Sequence, residues 1–192
     1  MGELHAIRSV SFDTSFLLKE SSLIDKAIKT LARDRIPCFL TSTVVSEIEQ
    51  LKVWGRISPD VHKQAMKRWA NAHATVIDFK NQLFSTAFGK ICMQSMQRYH
   101  GAQPEHIAND CRILVSVLKN GVDLFLSEDF HFTSQVTTEV IAEVQHKACS
   151  EYHQMCDTML FSIDVTTFLT AYNRGSIDLD VVRSNMKLVR KK

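Results

Sequence analysis

A chain of 192 residues with 45% hydrophobic composition has enough apolar material to bury the core of one compact domain, and it contains no run of about 18 apolar residues able to cross a bilayer. Its 23 Lys and Arg against 21 Asp and Glu leave a formal charge of +2, which supplies no general attraction to a polyanion, so nucleic-acid binding has to rest on a particular site. The five cysteines, Cys38, Cys92, Cys111, Cys149 and Cys156, are scattered without a CxxC pair, which predicts reduced thiols in a soluble, cytoplasmic protein with no membrane partner.

Residues 6–13, AIRSVSFD, read as a short buried strand with Asp13 at its carboxyl end. Ser21 and Ser22 cap a helix through about Arg35, in which Ile24, Ala27, Ile28 and Leu31 recur with helical spacing before Pro37 ends it. Cys38-Phe39-Leu40 is a second strand, and Thr41, Ser42 and Thr43 offer caps for a helix through about Trp54. Ser58-Pro59-Asp60 starts another helix, and residues 55–103 read as a helical hairpin inserted in the domain. Pro104 opens a helix that Asn120-Gly121 closes, and a third strand runs from Val122 to Ser127. A long helix from about Ser134 to Cys156, a fourth strand from Met159 to Asp164, and helices over 165–172 and 178–189 complete the chain. Strands alternating with helices predict an α/β domain with a central, mainly parallel sheet, whose sites lie at the carboxyl edge. Residues 1–175 form that domain, and 176–192 are set apart as a C-terminal helix with a solvated basic tail, Arg190-Lys191-Lys192.

Two of these helices each place an acid in an apolar stripe. Val44, Glu47, Ile48 and Leu51 stand at the same offsets as Ile107, Asp110, Cys111 and Leu114. At about 100° per residue each acid lies roughly 60° from the centre of its stripe, pointing to the core margin. Burying a lone carboxylate costs several kcal/mol unless a partner or cation compensates it. Asp13 and Asp129, at or just after strand ends, bring two more carboxylates to the same edge, a hard-oxygen set suited to Mg²⁺ or Mn²⁺, as one or two ions. Taken singly, each acid also suits an ordinary place: Asp13 a strand-to-loop turn, Glu47 and Asp110 the first turns of helices. Of the adjacent pair Glu128 and Asp129, Glu128 is expected to point to solvent.

These residues resemble the PIN family. Asp13-Thr14-Ser15-Phe16-Leu17-Leu18 is similar to its first motif and Thr43-Val44-Val45-Ser46-Glu47-Ile48 to its second. Asn109-Asp110-Cys111-Arg112-Ile113-Leu114 is similar to the third, and Leu126-Ser127-Glu128-Asp129-Phe130-His131-Phe132 to the fourth. The resemblance spans roughly residues 6–170. It implies a PIN-like, Rossmann-like three-layer sandwich and an Mg²⁺- or Mn²⁺-dependent endoribonuclease that leaves 5′-phosphate and 3′-hydroxyl ends. Asp13, Asp110 and Asp129 would ligate metal directly or through water, Glu47 would hold a metal-bound water, and Thr14, Ser15 and Ser127 would orient the carboxylates. A homodimer, and an antitoxin or ribonucleoprotein partner, are further implications of the family. The chain exceeds compact PIN toxins chiefly in residues 55–103 and 133–158.

Basic side chains near the mouth of the site would contact RNA, and Lys52, Arg56 and Arg112 stand as candidates, although each also suits an ordinary helix surface. His146, Cys149, His153 and Cys156 superficially suggest zinc, but on one helix the outer two would be roughly 15 Å apart, too far to share an ion. The aromatic and Met residues between Trp54 and Tyr99 read as packing or dimer surface before a base-stacking platform. A dehalogenase-like phosphotransferase needs DxDxT where this chain has Asp13-Thr14-Ser15, and a receiver domain needs paired acids and a later Lys that are not found. The remaining alternative is a catalytically silent PIN-like scaffold that binds RNA or assembles with partners.

Overall fold

In chain order the strands are β1 (Leu4–Ala6), β2 (Val10–Phe12), β3 (Cys38–Thr41), β4 (Thr75–Ile77), β5 (Leu124–Leu126), β6 (Phe161–Ile163), β7 (Tyr172–Asn173) and β8 (Ser176–Asp178). The first five helices are α1 (Thr14–Leu18), α2 (Ser22–Arg33), α3 (Ser42–Val53), α4 (Pro59–Ala72) and α5 (Gln82–His100). They are followed by α6 (Pro104–Lys119), α7 (Phe130–Thr133), α8 (Gln135–Tyr152), α9 (Val165–Ala171) and α10 (Leu179–Asn185). The computed structural model describes residues 3–79, 82–101 and 103–186. The basic tail Arg190-Lys191-Lys192 and the end of the helix expected over 178–189 lie outside them.

Five strands form one parallel sheet in the order β4-β3-β2-β5-β6. All residues of β2 and β5 are buried, as strands covered on both faces require, and the one polar side chain among them, Ser11, donates to the Phe39 carbonyl at 3.1 Å. From β2 the chain steps outward through β3 to β4, then returns to the other flank of β2 as β5 and continues to β6. The direction of travel reverses at β2 and β5, and the crevice beyond their carboxyl ends is where an open α/β sheet holds its ligands. The helices pack in two groups, α1, α2, α4 and α9 in one and α5, α6 and α8 in the other. This α/β arrangement agrees with a Rossmann-like three-layer fold.

The first helical group is tied together by one buried cation. Arg68 on α4 is 1% exposed, and its Nε donates to Asp25 Oδ1 at 2.9 Å. The other arms of its guanidinium donate to the carbonyls of Leu17 (2.8 Å), Lys19 (2.7 Å) and Ser21 (3.0 Å). Leu17 lies in the last turn of α1, Lys19 caps its end and Ser21 caps the start of α2, so the planar fork of an arginine gathers acceptors from the reversal between the two helices, of which Ser21 O also accepts from Ile24 N at 3.3 Å.

Several expectations are corrected. Residues 55–103 do not form a helical hairpin: α4 and α5 are separated by β4, which pairs with β3 through Leu40 and Val76, and each helix packs in a different group. Residues 176–186 are not set apart either, because β8 pairs antiparallel with β1, Leu4 opposite Asp178, and β7 completes a second, three-stranded sheet. The helix expected to reach Cys156 stops at Tyr152, where His153 takes a left-handed conformation (φ 51°). The chain turns back there and joins Cys156 to Cys149 as a disulfide, while Cys38, Cys92 and Cys111 are free and buried. The expectation of reduced thiols therefore fails for two of the five cysteines, because the helix end brings together sulfurs that a continuous helix would separate.

Candidate functional site

Asp13 leaves β2 at its carboxyl end and caps α1, accepting from Ser15 N at 3.2 Å. It is 4% exposed. Two hydroxyls hold its Oδ2: Ser15 Oγ donates at 2.6 Å and Ser127 Oγ, just past β5, donates at 2.9 Å. The same two hydroxyls accept from the opposite loop, Ser15 Oγ from Glu128 N at 2.9 Å and Ser127 Oγ from Asp129 N at 3.0 Å. Burial pushes the Asp13 carboxyl up to about 6, the hydrogen bonds from Ser15, Ser127 and Thr14 pull against that rise, and the charge on Glu47 adds to it.

Glu47 reaches the site because Thr41 ends β3 and caps α3, accepting from Val44 N at 3.3 Å, so the helix starts at the sheet edge. Val44 and Ile48 anchor the buried face, and Glu47 stands beside them at the margin. Its carboxylate accepts from Thr14 Oγ1 at 2.5 Å and from Asn109 Nδ2 at 2.8 Å. Asp110 sits on α6 next to buried Ile107, Cys111 and Leu114, with its side chain 18% exposed. Burial, followed by the charges of Asp13, Asp129 and Glu47, pushes it up to about 7. Asp129 caps α7, accepting from His131 N at 2.7 Å, and its side chain is 42% exposed.

Four carboxylates from four separate stretches of chain thus share one electrostatic neighbourhood at the switch point. Thr14 is bonded to Glu47, and Ser15 and Ser127 are bonded to Asp13. Three participants had no role assigned from sequence. Asn109, beside Asp110, turns to Glu47 instead. His131 points Nδ1 at Asp110 Oδ2 (3.5 Å) and Asp129 Oδ1 (3.8 Å). His100, at the end of α5, meets the His131 ring edge-on with centroids 5.4 Å apart. Burial and the neighbouring His131 hold His100 below its ordinary value, against the opposing pull of Asp129. The only signals available for these residues were adjacency to an acid for Asn109 and two-residue spacing for His131; His100 had none.

Glu128 reverses its expected part. Its side chain is only 9% exposed, receives a 2.5 Å bond from Lys19 Nζ and accepts from Val165 N, the first residue of α9, at 2.9 Å. It is a brace between α1 and α9, while Asp129 takes the more open position. Glu128→Ala is expected to lower stability by about 1–2 kcal/mol, the range for losing a helix cap, read as a shift in urea midpoint.

The three cations suggested for RNA contact do not border the acids. Lys52 is exposed, 3.9 Å from Glu49, and stands about 140° around α3 from Glu47. Arg56 lies past the far end of α3 with its guanidinium 5.2 Å from the Trp54 ring centroid. Arg112 is exposed and about 200° around α6 from Asp110. A groove of about 530 Å³ runs between β6, α8 and α10, and none of the four acids lines it.

Among the described residues, no group of three or more His, Cys, Asp or Glu side chains forms a ready cation cage. The donor chemistry fits a hard divalent cation nonetheless: all four donors are carboxylates, and the burial and neighbouring negative charge that raise Asp110 are what a cation would offset. No protein-family model, no curated protein and no solved structure matches the chain.

Proposed function

We propose that this chain is a PIN-like, Mg²⁺- or Mn²⁺-dependent endoribonuclease that hydrolyses RNA phosphodiester bonds. The observation that carries this reading is the mutual electrostatic loading of Asp13, Glu47, Asp110 and Asp129 at the switch point, where burial and three neighbouring charges raise Asp110 to about 7. Four carboxylates are a poor binding surface for a polyanion by themselves, so a site of this kind needs positive charge before RNA approaches. A divalent cation, when bound, would supply that charge and acidify a water for attack on phosphorus. The protein's part is to hold the acids still: Ser15 and Ser127 orient Asp13, Thr14 and Asn109 orient Glu47, and buried helix faces fix Asp110.

The same site in a scaffold that binds RNA without cleaving it is the second reading, favoured by the lack of a ready cation cage among the described residues. Cleavage of structured and unstructured RNA in Mn²⁺ separates the two. The parent is expected to cut, and Asp13→Asn to lose more than about 100-fold in rate, since removing a mere orienting partner of a ligand already costs about 10–100-fold. Undiminished cutting by Asp13→Asn overturns the nuclease reading, and an inactive parent supports the scaffold.

A further inference from the structure

The four acids are unequally accessible, and the unevenness shows where a substrate enters. Asp13 is 4% exposed and Asp110 18%, whereas Asp129 is 42% and the neighbouring His131 35% exposed. Approach is therefore over Asp129 and His131. Beside them stands Phe130, the first residue of α7, with 43% of its surface open to solvent. An exposed aromatic ring at the rim of an acidic crevice contributes nothing to holding a cation and forgoes most of the stabilisation of burial.

Phe130 is held in a braced wall. His100 meets its ring edge-on with centroids 6.1 Å apart, and His100 also meets His131, which approaches Asp110 and Asp129. Buried Thr137 supports the wall from behind, its hydroxyl donating to the His131 carbonyl at 2.6 Å and lying 3.5 Å from His100 Nε2. Aromatic surfaces fixed in this way stack bases with little loss of side-chain freedom.

We propose that the exposed part of Phe130, standing with His100 and His131 at the rim of the carboxylate crevice, is a stacking surface for a nucleobase of single-stranded RNA. The choice of RNA rests on the nuclease reading. A base in a duplex keeps its faces against its neighbours and has none to offer, so this surface selects unpaired strands. Uncharged recognition also suits a rim from which Lys52, Arg56 and Arg112 are turned away and beside which Lys19 is engaged by Glu128.

The test measures fluorescence anisotropy of a labelled oligoadenylate in Ca²⁺ without Mg²⁺ or Mn²⁺, which supplies positive charge at the acids while turnover is suppressed, and steady-state cleavage in Mn²⁺. Phe130→Ala is expected to weaken single-strand binding about tenfold and to raise KM with little change in kcat. Phe130→Trp restores binding, Phe130→Leu does not, and duplex RNA distinguishes none of the three. Equal single-strand binding by parent, Phe130→Ala and Phe130→Leu overturns the stacking inference, even if Mn²⁺-dependent cleavage proceeds. A parent that binds through Phe130 without cutting upholds stacking and removes the nuclease reading; a parent that binds no single strand overturns the inference.

Discussion

Replacing Asp110 with asparagine is expected to make the metal-free protein more stable at pH 8 and, at the same time, unable to cut RNA. In the folded protein burial, then Asp13, Asp129 and Glu47, raise Asp110 from 3.8 to about 7. The unfolded chain titrates near the ordinary value, so between about pH 4 and 7 the folded state holds a proton that the unfolded state has released. Stability contributed at this position therefore falls as pH rises through that window, and above about pH 7 the full cost of the buried charge is present. With the side chain 18% exposed, about 2–4 kcal/mol is the expected order of the cost, or roughly 5–10 °C in Tm for a chain of this size. Asparagine keeps the shape and removes the charge. Mn²⁺ is expected to raise the Tm of the parent at pH 8 and to leave that of Asp110→Asn nearly unchanged. Calorimetry at pH 5 and pH 8, with and without Mn²⁺, reads all four quantities. A variant less stable than the parent at pH 8 contradicts the charge repulsion assigned here. Asp13, raised to about 6, has the same sign and a narrower window.

Arg68→Ala is expected to have the opposite effect, a loss of about 3–5 kcal/mol at any pH near neutrality. The alanine removes the guanidinium donor from the carbonyls of Leu17, Lys19 and Ser21, of which Ser21 keeps Ile24 N, and opens a space under α4. The ion pair with Asp25 is the smaller share, because Asp25 is 43% exposed and water already screens it. Arg68→Lys is expected to recover little, since one ammonium cannot present a planar fork to three carbonyls and a carboxylate. Urea midpoints of the three proteins measure this, and equal midpoints for parent and Arg68→Ala would refute it. The turn that Arg68 clamps follows α1, which begins at Thr14, so the clamp also sets the position of the hydroxyl that reaches Glu47.

What sequence revealed of the fold were the elements with strong local signals. The strands at Val10–Phe12 and Leu124–Leu126 are wholly apolar or buried, and α3, α4 and α6 start at Thr41, Ser58-Pro59 and Pro104, which announce a helix start chemically. β4 escaped notice because its three residues include no fully buried side chain and its pairing lies wholly with β3. β1 and β8 escaped because two short strands at opposite ends of the chain exist only through each other. Glu47 and Asp110 stood out because a carboxylate inside an apolar period is anomalous in one dimension, and Asp13 and Asp129 because they come at or just after strand ends. The partners of those acids did not: Asn109 serves Glu47 across a helix interface, and His100 arrives from α5, neither of which any spacing rule encodes. Glu128 was wrongly placed towards water, because the start of α9, which consumes it, is invisible from residue 128.

Ser15 and Ser127 have one proton each, and both are directed at Oδ2 of Asp13. A proton on that oxygen would compete with both donors, and at least one hydroxyl would have to rotate. Their lone pairs are meanwhile engaged by the amides of Glu128 and Asp129, which ties the segment carrying Asp129 and Phe130 to the same two serines. One buried oxygen therefore stands at the end of two parallel hydrogen-bond chains, each running through a serine to the segment that carries Asp129 and Phe130, and charge on it favours both.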